Sequence, residues 1–450
     1  MEILKKPAEK SALFLLYIST ILGCLVGTTA LSHSYQIYLM VVMLFCGAVC
    51  LHLFLEGRLK TCIKKSGVLG LFFSIMTVIS TVKYGIALQE HQQISFFTVY
   101  QMVFFAAGGL CAYWMMRGHK QELRNVLAIL SCAISLIILL FSRRFMLDLG
   151  VFRFMAPYSS PNILGIYTIV GLFASILMVT FCTRKYWRIL FLFNAAVSAA
   201  AALLTGSRGT TLSVLFGLGV YTLCSLHLLK KVNWKIVGAR LIIFTVLCGM
   251  MFLLMVPSDH KKLDVVVVGN GGAEFDDGMG SMDPMGEYLP DGEENEREEH
   301  PTVSSDSWKN FLQRFNLSGE GNSSFKHNLR LRIWLGYLQE LPQYVLVGTD
   351  YQFSARPVLD GRGWDPHNTF IYTTFRFGIA ELAVLCCMLL TIFRKLLKQR
   401  KSSDKAVLLG LLAAAVFQAM FIDLLNVTIF YGLLAILYAG AAGSSEIAEP

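Results

Sequence analysis

Apolar residues along this 450-residue chain gather in runs of about twenty, separated by short polar and basic segments. A run of roughly 20 mostly apolar residues crosses about 30 Å of hydrocarbon as a helix. In the first half such runs occupy Ser11–Ala30, Ile37–Leu55, Gly67–Leu88, Ile94–Met116, Leu123–Phe141 and Asn162–Phe181. In the second half they occupy Ile189–Thr205, Thr210–Leu229, Trp234–Val256, Phe370–Phe393, Ala406–Ile422 and Leu424–Gly440. The pattern predicts an all-α polytopic membrane protein with about twelve transmembrane helices. The third run carries Lys83, and the last two are joined by a tight turn near Asp423. The first run has no convincing small-residue cleavage site, so it is expected to remain as a span.

Composition agrees. Hydrophobic residues make up 55% of the chain and charged ones 15%, against roughly 25% charged in soluble proteins. A soluble fold would have too little polar surface to cover its core, and the same balance excludes disorder, a collagen and a disulfide-stapled secreted domain. The eleven cysteines fall in or beside apolar runs, and none lies between Pro257 and Pro366. They show neither zinc spacing nor a disulfide framework and read as small apolar packing residues.

Charge sets the expected topology. With the amino terminus cytoplasmic, the inside segments hold 22 lysines and arginines, counting Arg124 and Lys235 at span ends, and the outside loops 5, counting Lys83 near its span end. One missed or invented span would scramble that alternation, so both termini are expected in the cytoplasm. Residues 1–256 then hold nine spans, 257–366 form one large extracytoplasmic loop, and 367–450 hold the last three. The loop carries 19 of the 30 acidic residues against ten basic ones, so the net charge of +9 is a topology signal and not a nucleic-acid footprint. Within the loop, 264–300 is glycine-rich and acidic, without defensible helical or strand periodicity, and is expected to be a flexible insertion. From 305 to 342 the pattern predicts two short amphipathic helices, Trp308–Phe315 and Leu329–Leu341. The second places Leu331, Trp334, Leu335 and Leu338 on one face, and Pro342 is expected to end it.

Arg143, Arg144, Arg153 and Arg208 break the inside bias, as do Arg330 and Arg332 if the loop helix docks on the bundle. Each alone could be a side chain snorkelling to headgroup phosphates. Together they fit a site for an anionic group, because the planar guanidinium fork binds a phosphate diester or pyrophosphate bidentately without a metal. Arg208 lies in Leu204-Thr205-Gly206-Ser207-Arg208-Gly209-Thr210-Thr211, a break between two spans. Gly206 and Gly209 permit unusual backbone angles there, and the helix that follows offers free amides to an anion. An ordinary tight turn with an interfacial arginine has the same composition.

These residues resemble a known family. Thr205-Gly206-Ser207-Arg208-Gly209 ending a span, Arg330-x-x-x-Trp334 in the loop, Gly348 after Pro342, Pro366-His367-Asn368 entering the next span, and Pro161-Asn162 opening the sixth helix look like the O-antigen ligase and polymerase family. The likeness covers roughly Pro161 to Gly378. The acidic stretch 264–300 has no counterpart in that pattern, and Arg376 stands where an acidic or neutral residue is usual. The resemblance implies a bacterial cytoplasmic-membrane enzyme that transfers glycan from an undecaprenyl-pyrophosphate-linked donor to a glycan or glycolipid acceptor. It implies no metal or other cofactor. Whether a chain-length regulator is a partner beside the membrane lipids stays open, and the charge pattern gives no reason to expect nucleic acid.

A lipid pyrophosphate is already an activated leaving group. The enzyme must position it, offset its growing negative charge and deprotonate a sugar hydroxyl. Arg208 and Arg330, with Arg332 as helper, are the candidate pyrophosphate ligands. His367 is the candidate base, since histidine alone titrates near neutrality without perturbation. Ser207, Gly209, Asn368 and Asp365 are candidate supporting residues; Asp365 could orient the imidazole or cap the helix. Polymerase is favoured over ligase, because ligation to a lipopolysaccharide core needs an outer membrane that nothing here indicates. The rival class is a twelve-helix transporter or lipid-linked oligosaccharide flippase. Such proteins carry mid-depth charge and internal repeats, whereas Arg240, Glu381 and Asp423 are the notable ionisable residues in the spans and no repeat relates the halves.

Overall fold

The computed structural model describes residues 2–25, 34–89, 108, 110, 111, 114, 120–148, 151–158, 160–228, 234–255, 264–267, 329–346, 348–349, 358–359, 362–363, 366–399, 403–422, 424 and 428–442. Among these the chain forms fourteen helices. They are α1 (Glu2–Leu25), α2 (Ser34–Leu55), α3 (Leu59–Lys65), α4 (Gly67–Gln89), α5 (Lys120–Leu140), α6 (Pro161–Phe181) and α7 (Lys185–Leu204). Then follow α8 (Arg208–Leu228), α9 (Trp234–Met255), α10 (Leu329–Tyr344), α11 (Thr369–Phe377), α12 (Ile379–Lys398), α13 (Ser403–Ala419) and α14 (Thr428–Ala442). Five described stretches are long and apolar enough to cross a membrane, within α1, α5, α6, α7 and α8, and shorter apolar helices accompany them. This is a helical, multi-pass membrane protein. Most of the expected fourth span, the expected helix at Trp308–Phe315 and most of the acidic stretch lie outside the described residues.

Packing centres on α6. Its sequence is apolar all round, and protein covers it on nearly every side, as expected of such a helix. Ser160 caps it by accepting from the Ile163 amide at 3.2 Å, and Pro161 occupies the first turn, where its missing N–H costs nothing. The alanine-rich stretch of α7, Ala195–Ala202, lets α6 and α7 approach closely. A buried polar node ties three helices here: Asn194 Nδ2 donates to Ser131 Oγ (3.1 Å), Ser131 and Ser175 hydroxyls share a 2.7 Å bond, and Ser135 donates to the Asn194 carbonyl. In hydrocarbon such bonds have no water competitor, so they fix register.

Helix α8 packs most extensively on α13. A Cβ on Gly217 would lie 2.7 Å from the Gly410 carbonyl oxygen, and one on Gly410 would lie 2.8 Å from that of Gly217. The backbones can touch only because both are glycine. Ser213 donates to Gln418 Oε1 at 2.8 Å, and Gln418 Nε2 donates to Thr210 Oγ1 at 3.3 Å. Large apolar side chains of α2 and α9, among them Met40, Leu44, Phe54, Ile242, Val246 and Leu253, are exposed and form the lipid-facing surface.

The structure departs from the sequence pattern in four places. The tenth expected span is two helices, α11 and α12, divided at Gly378 (φ 89°), with the Ile379 amide donating to the Val345 carbonyl at 2.7 Å. Broken backbone at membrane depth is tolerated where protein satisfies the freed groups. Helix α10 runs two residues past Pro342, to Tyr344. Its buried side chains are Ile333 and Tyr337, whereas Leu335 and Leu338 are exposed. Of the expected face Leu331 and Trp334 are partly covered, so the helix docks between that face and the side of Ile333 and Tyr337. Last, a small sheet forms: β1 (Arg144–Asp148) pairs antiparallel with β2 (Val151–Phe154) and parallel with β3 (Asp264–Val267), setting Arg144 opposite Asp264. The acidic stretch thus begins as a strand. A second ribbon, β4 (Val358–Leu359) with β5 (Arg362–Gly363), flanks Asp360-Gly361, a dipeptide that favours tight hairpins.

Candidate functional site

The break between α7 and α8 is built by its own side chains. Gly206 takes the left-handed conformation (φ 62°) that a side chain would resist. Thr205 Oγ1 accepts from the Ser207 amide (3.2 Å), and Ser207 Oγ accepts from the Thr210 amide (3.3 Å), so Ser207 caps α8. Arg208 is the first residue of α8 and is exposed. Arg208 therefore stands at the amino-terminal end of α8, where the helix dipole and an arginine both favour an anion. Arg153 braces this turn from β2: its Nε donates to the Thr205 carbonyl at 3.1 Å and its Nη2 to Asn162 Oδ1 at 3.2 Å. Arg153 is thus tied into protein and does not read as a snorkelling cation.

Helix α10 docks through its buried face. Tyr337 stands edge-on to Phe375 with centroids 4.8 Å apart, and Trp334 Nε1 donates to the Pro366 carbonyl at 2.8 Å. Past its end, Gly348 (φ 76°) lies so close to α11 that a Cβ there would come within 2.6 Å of the Arg376 carbonyl group. The Thr349 amide donates to the Phe375 carbonyl at 2.6 Å. Arg330, at the other end of α10, is half-buried, with its guanidinium carbon 6.0 Å from the centre of the Phe421 ring. Burial pushes its pKa below the usual arginine value.

Between α10 and α11 lies Pro366-His367-Asn368. His367 holds a left-handed backbone (φ 45°), rare for a residue with a side chain and held only where its surroundings fix it. Asn368 Oδ1 accepts from the Phe370 amide (3.0 Å) and the Ile371 amide (3.2 Å), while its Nδ2 donates to the Met420 carbonyl (3.3 Å). Thr369 Oγ1 donates to the Ile422 carbonyl (2.8 Å) and accepts from the Leu424 amide (2.9 Å).

These three pieces converge on one turn, the segment that follows α13. Its backbone is gripped by Asn368 and Thr369. Its Phe421 packs against the position a Gly209 side chain would need, 2.8 Å from an ideal Cβ, and lies beneath Arg330. Gly209, Arg330, Asn368 and Phe421, far apart in sequence, thereby share one junction, with Arg208 and His367 each one residue from it. Arg332 is exposed and lies about 200° round α10 from Arg330, so its backbone position is on another side. Ser207 and Asn368 serve as helix caps, and Gly209 as the space for Phe421. Asp365 and His327 lie outside the described residues. Phe421 has no sequence signal as a site residue, being an aromatic at the end of an apolar run, whereas Arg153, one of the outside arginines expected near an anion site, braces the Arg208 turn instead.

Among the described residues no group of three histidine, cysteine, aspartate or glutamate side chains could hold a metal ion. Arg330 at this turn, with the Arg208 and His367 positions one residue from it, supplies residue types able to bind a polyanion and exchange a proton. No protein-family model matches the chain, and no curated protein matches it.

Proposed function

We propose that the chain is a membrane glycosyltransferase of the O-antigen ligase and polymerase type, with polymerase favoured. On this reading it has twelve spans and both termini in the cytoplasm, and the junction faces outward from a bacterial cytoplasmic membrane. Arg208 and Arg330 hold the pyrophosphate of an undecaprenyl-linked glycan, and arginine suits a ligand whose charge is permanent. His367 takes the proton of the acceptor hydroxyl as that oxygen attacks the anomeric carbon. The carbon–oxygen bond to the carrier breaks, and undecaprenyl pyrophosphate leaves with the bonding pair. The observation that supports this most is the meeting of the Arg208 turn, Arg330 and the His367 segment round Met420–Leu424.

Deleting the gene and separating the cell's glycans tests it. Single repeat units stranded on carrier are expected; full-length chains stranded on carrier would make it a ligase, and an unchanged profile would sink the reading. In purified membranes His367→Ala is expected to abolish transfer while carrier binding persists. One observation favours the transporter or flippase reading instead. Glu381 is fully buried on α12 and its carboxylate has no hydrogen-bond partner among the described residues; buried ionisable groups of this kind often mark ion pathways. Loss of substrate movement in Glu381→Gln vesicles, with glycan assembly intact, would decide for it.

A further inference from the structure

Helix α6 begins beside the Arg208 turn, where Arg153 holds Asn162, and ends at Phe181, about 30 Å away at 1.5 Å per residue. A second group of cations gathers at that far end. Arg124 of α5 sets its guanidinium carbon 4.5 Å from the centre of the Phe181 ring. Arg188 of α7 donates from Nε to the Cys182 carbonyl at 2.6 Å. Burial raises the pKa of the Cys182 thiol, and the charges of Arg188 and Arg124 both oppose that rise. Two guanidiniums from two helices therefore converge on one point. Arg184 stands one turn before Arg188, and its side chain makes no cap bond to α7; Lys185 follows it. All four cations are exposed.

Gathering like charge costs energy unless an anion offsets it. No carboxylate among the described residues does so. The ion pairs found among them are both made by Glu56. Asp404 of α13 accepts from Thr180 Oγ1 at 3.3 Å, two residues before Cys182, but pairs with none of the four. The carboxyl end of α6 explains one cation, since a basic side chain there satisfies the last carbonyls, and Arg188 fills that role. Arg124, Arg184 and Lys185 are left over. Beside them α7 presents Tyr186 and Trp187, 84% and 51% exposed, and then Ile189 and Leu190, also exposed. Tyrosine and tryptophan gather at headgroup level, and the aliphatic pair continues into hydrocarbon. The order along α7 is cation, amphipathic ring, aliphatic chain, which matches the phosphate, glycerol and acyl chain of a phospholipid.

We infer that this end of α5, α6 and α7 binds an anionic phospholipid. Arg124, Arg184 and Arg188 take its phosphate, and an acyl chain lies along Ile189 and Leu190. Guanidinium forks match phosphate oxygens, and a zwitterionic headgroup would bring its own cation against the cluster. The assignment holds whichever reaction or transport takes place at the junction, a membrane thickness away.

Native mass spectrometry of the purified full-length protein tests this, with phosphatidylglycerol and phosphatidylethanolamine of identical acyl chains at equal concentration. The wild type should retain phosphatidylglycerol in preference. Each basic residue near a membrane surface is worth about fivefold in affinity for an anionic lipid. Arg184→Gln should therefore cut retention about fivefold, and Arg124→Gln with Arg184→Gln about twenty-five-fold. Lys60→Gln with Lys64→Gln, which removes two exposed cations from α3, should leave it unchanged. Thermal unfolding within a few degrees of wild type shows that the fold is kept. Should the double arginine variant unfold, Arg184→Gln alone carries the test, because that side chain caps nothing. Equal losses in the arginine and lysine pairs would reduce the cluster to diffuse surface charge and overturn the site. Equal retention of the two lipids would overturn it as well. So would release of bound phosphatidylglycerol by excess inorganic phosphate, since the occupant would then be a soluble anion.

Discussion

Helices α8 and α9 are neighbours in sequence and both apolar, yet they use glycine in opposite ways. Gly217 of α8 presses against the Gly410 backbone of α13, and Thr210 and Ser213 reach across to Gln418. Gly249 of α9 has nothing among the described residues within 4 Å of where a Cβ would stand, and Ile242, Ile243, Val246, Met250, Leu253 and Leu254 around it are exposed. Lipid is as apolar as leucine, so burial alone cannot tell one helix where to sit against another. Close backbone contact and hydrogen bonds can. The α8·α13 crossing carries both, and the turn that follows α13 carries the junction of Arg330 and His367. Precision is concentrated where charged groups must be held, and α9 serves as lipid-facing cover.

The comparison is broken most directly at the glycines. Gly410→Val would push a branched side chain into the Gly217 carbonyl, with no flexible neighbour to yield, and should destabilise the fold by about 3 kcal/mol or more. Gly249→Val should change stability by less than about 0.5 kcal/mol, the ordinary range for exposed substitutions. Thermal unfolding in one detergent compares them, and equal losses would mean that the α8·α13 contact is not special. Next in size is Gly348→Ala, which sets a Cβ against the Arg376 backbone at a left-handed position. It should release α10, read as new protease cleavage within Leu329–Tyr344, and abolish transfer while leaving the α8·α13 crossing intact.

Much of the helical layout was legible because apolar runs of membrane length leave few alternatives. Observed helices α2, α4, α6, α7, α8 and α9 start and stop within about four residues of the expected spans. The break at Gly378 was not legible. Its cause is the end of α10 inserting beside it, a long-range contact that no local pattern encodes. The burial of Tyr337 on α10 was not legible for a related reason: its partner Phe375 lies in another helix. Of the candidate site, Arg208 and Arg330 stood out as outer-face cations against the inside charge bias, and His367 as a titratable group at the entry to a span. Phe421, which joins their surroundings, is an aromatic among thirty-two phenylalanines and carries no such mark.

Arg330 sharpens the comparison at the level of charge. Arg330→Lys should lower turnover by about a hundredfold, the scale of losing one oriented donor to developing negative charge. The pH profile gives a second reading. Burial lowers the pKa of a cation, and lysine begins near 10.4 where arginine begins above 12. The lysine variant should therefore lose its residual activity at a lower pH than the wild type on the alkaline side. Superimposable alkaline limbs would mean that position 330 does not contribute charge to the rate.

The smallest effect expected is at Trp334. Its indole N–H donates to the Pro366 carbonyl, one residue before the strained His367, while its ring packs in the core of the α10 contact. Trp334→Phe keeps an aromatic ring and removes the donor, leaving a half-buried carbonyl to find water. A single neutral hydrogen bond contributes about 1 kcal/mol, so the rate should fall roughly fivefold. Because the bond is made one residue before His367 and not to the proposed pyrophosphate ligands, the loss should appear in kcat with KM for the donor unchanged. A rise in donor KM at constant kcat would place Trp334 on the carrier side of the junction. The arginines and the histidine would then not be the separate halves that their different neighbours indicate.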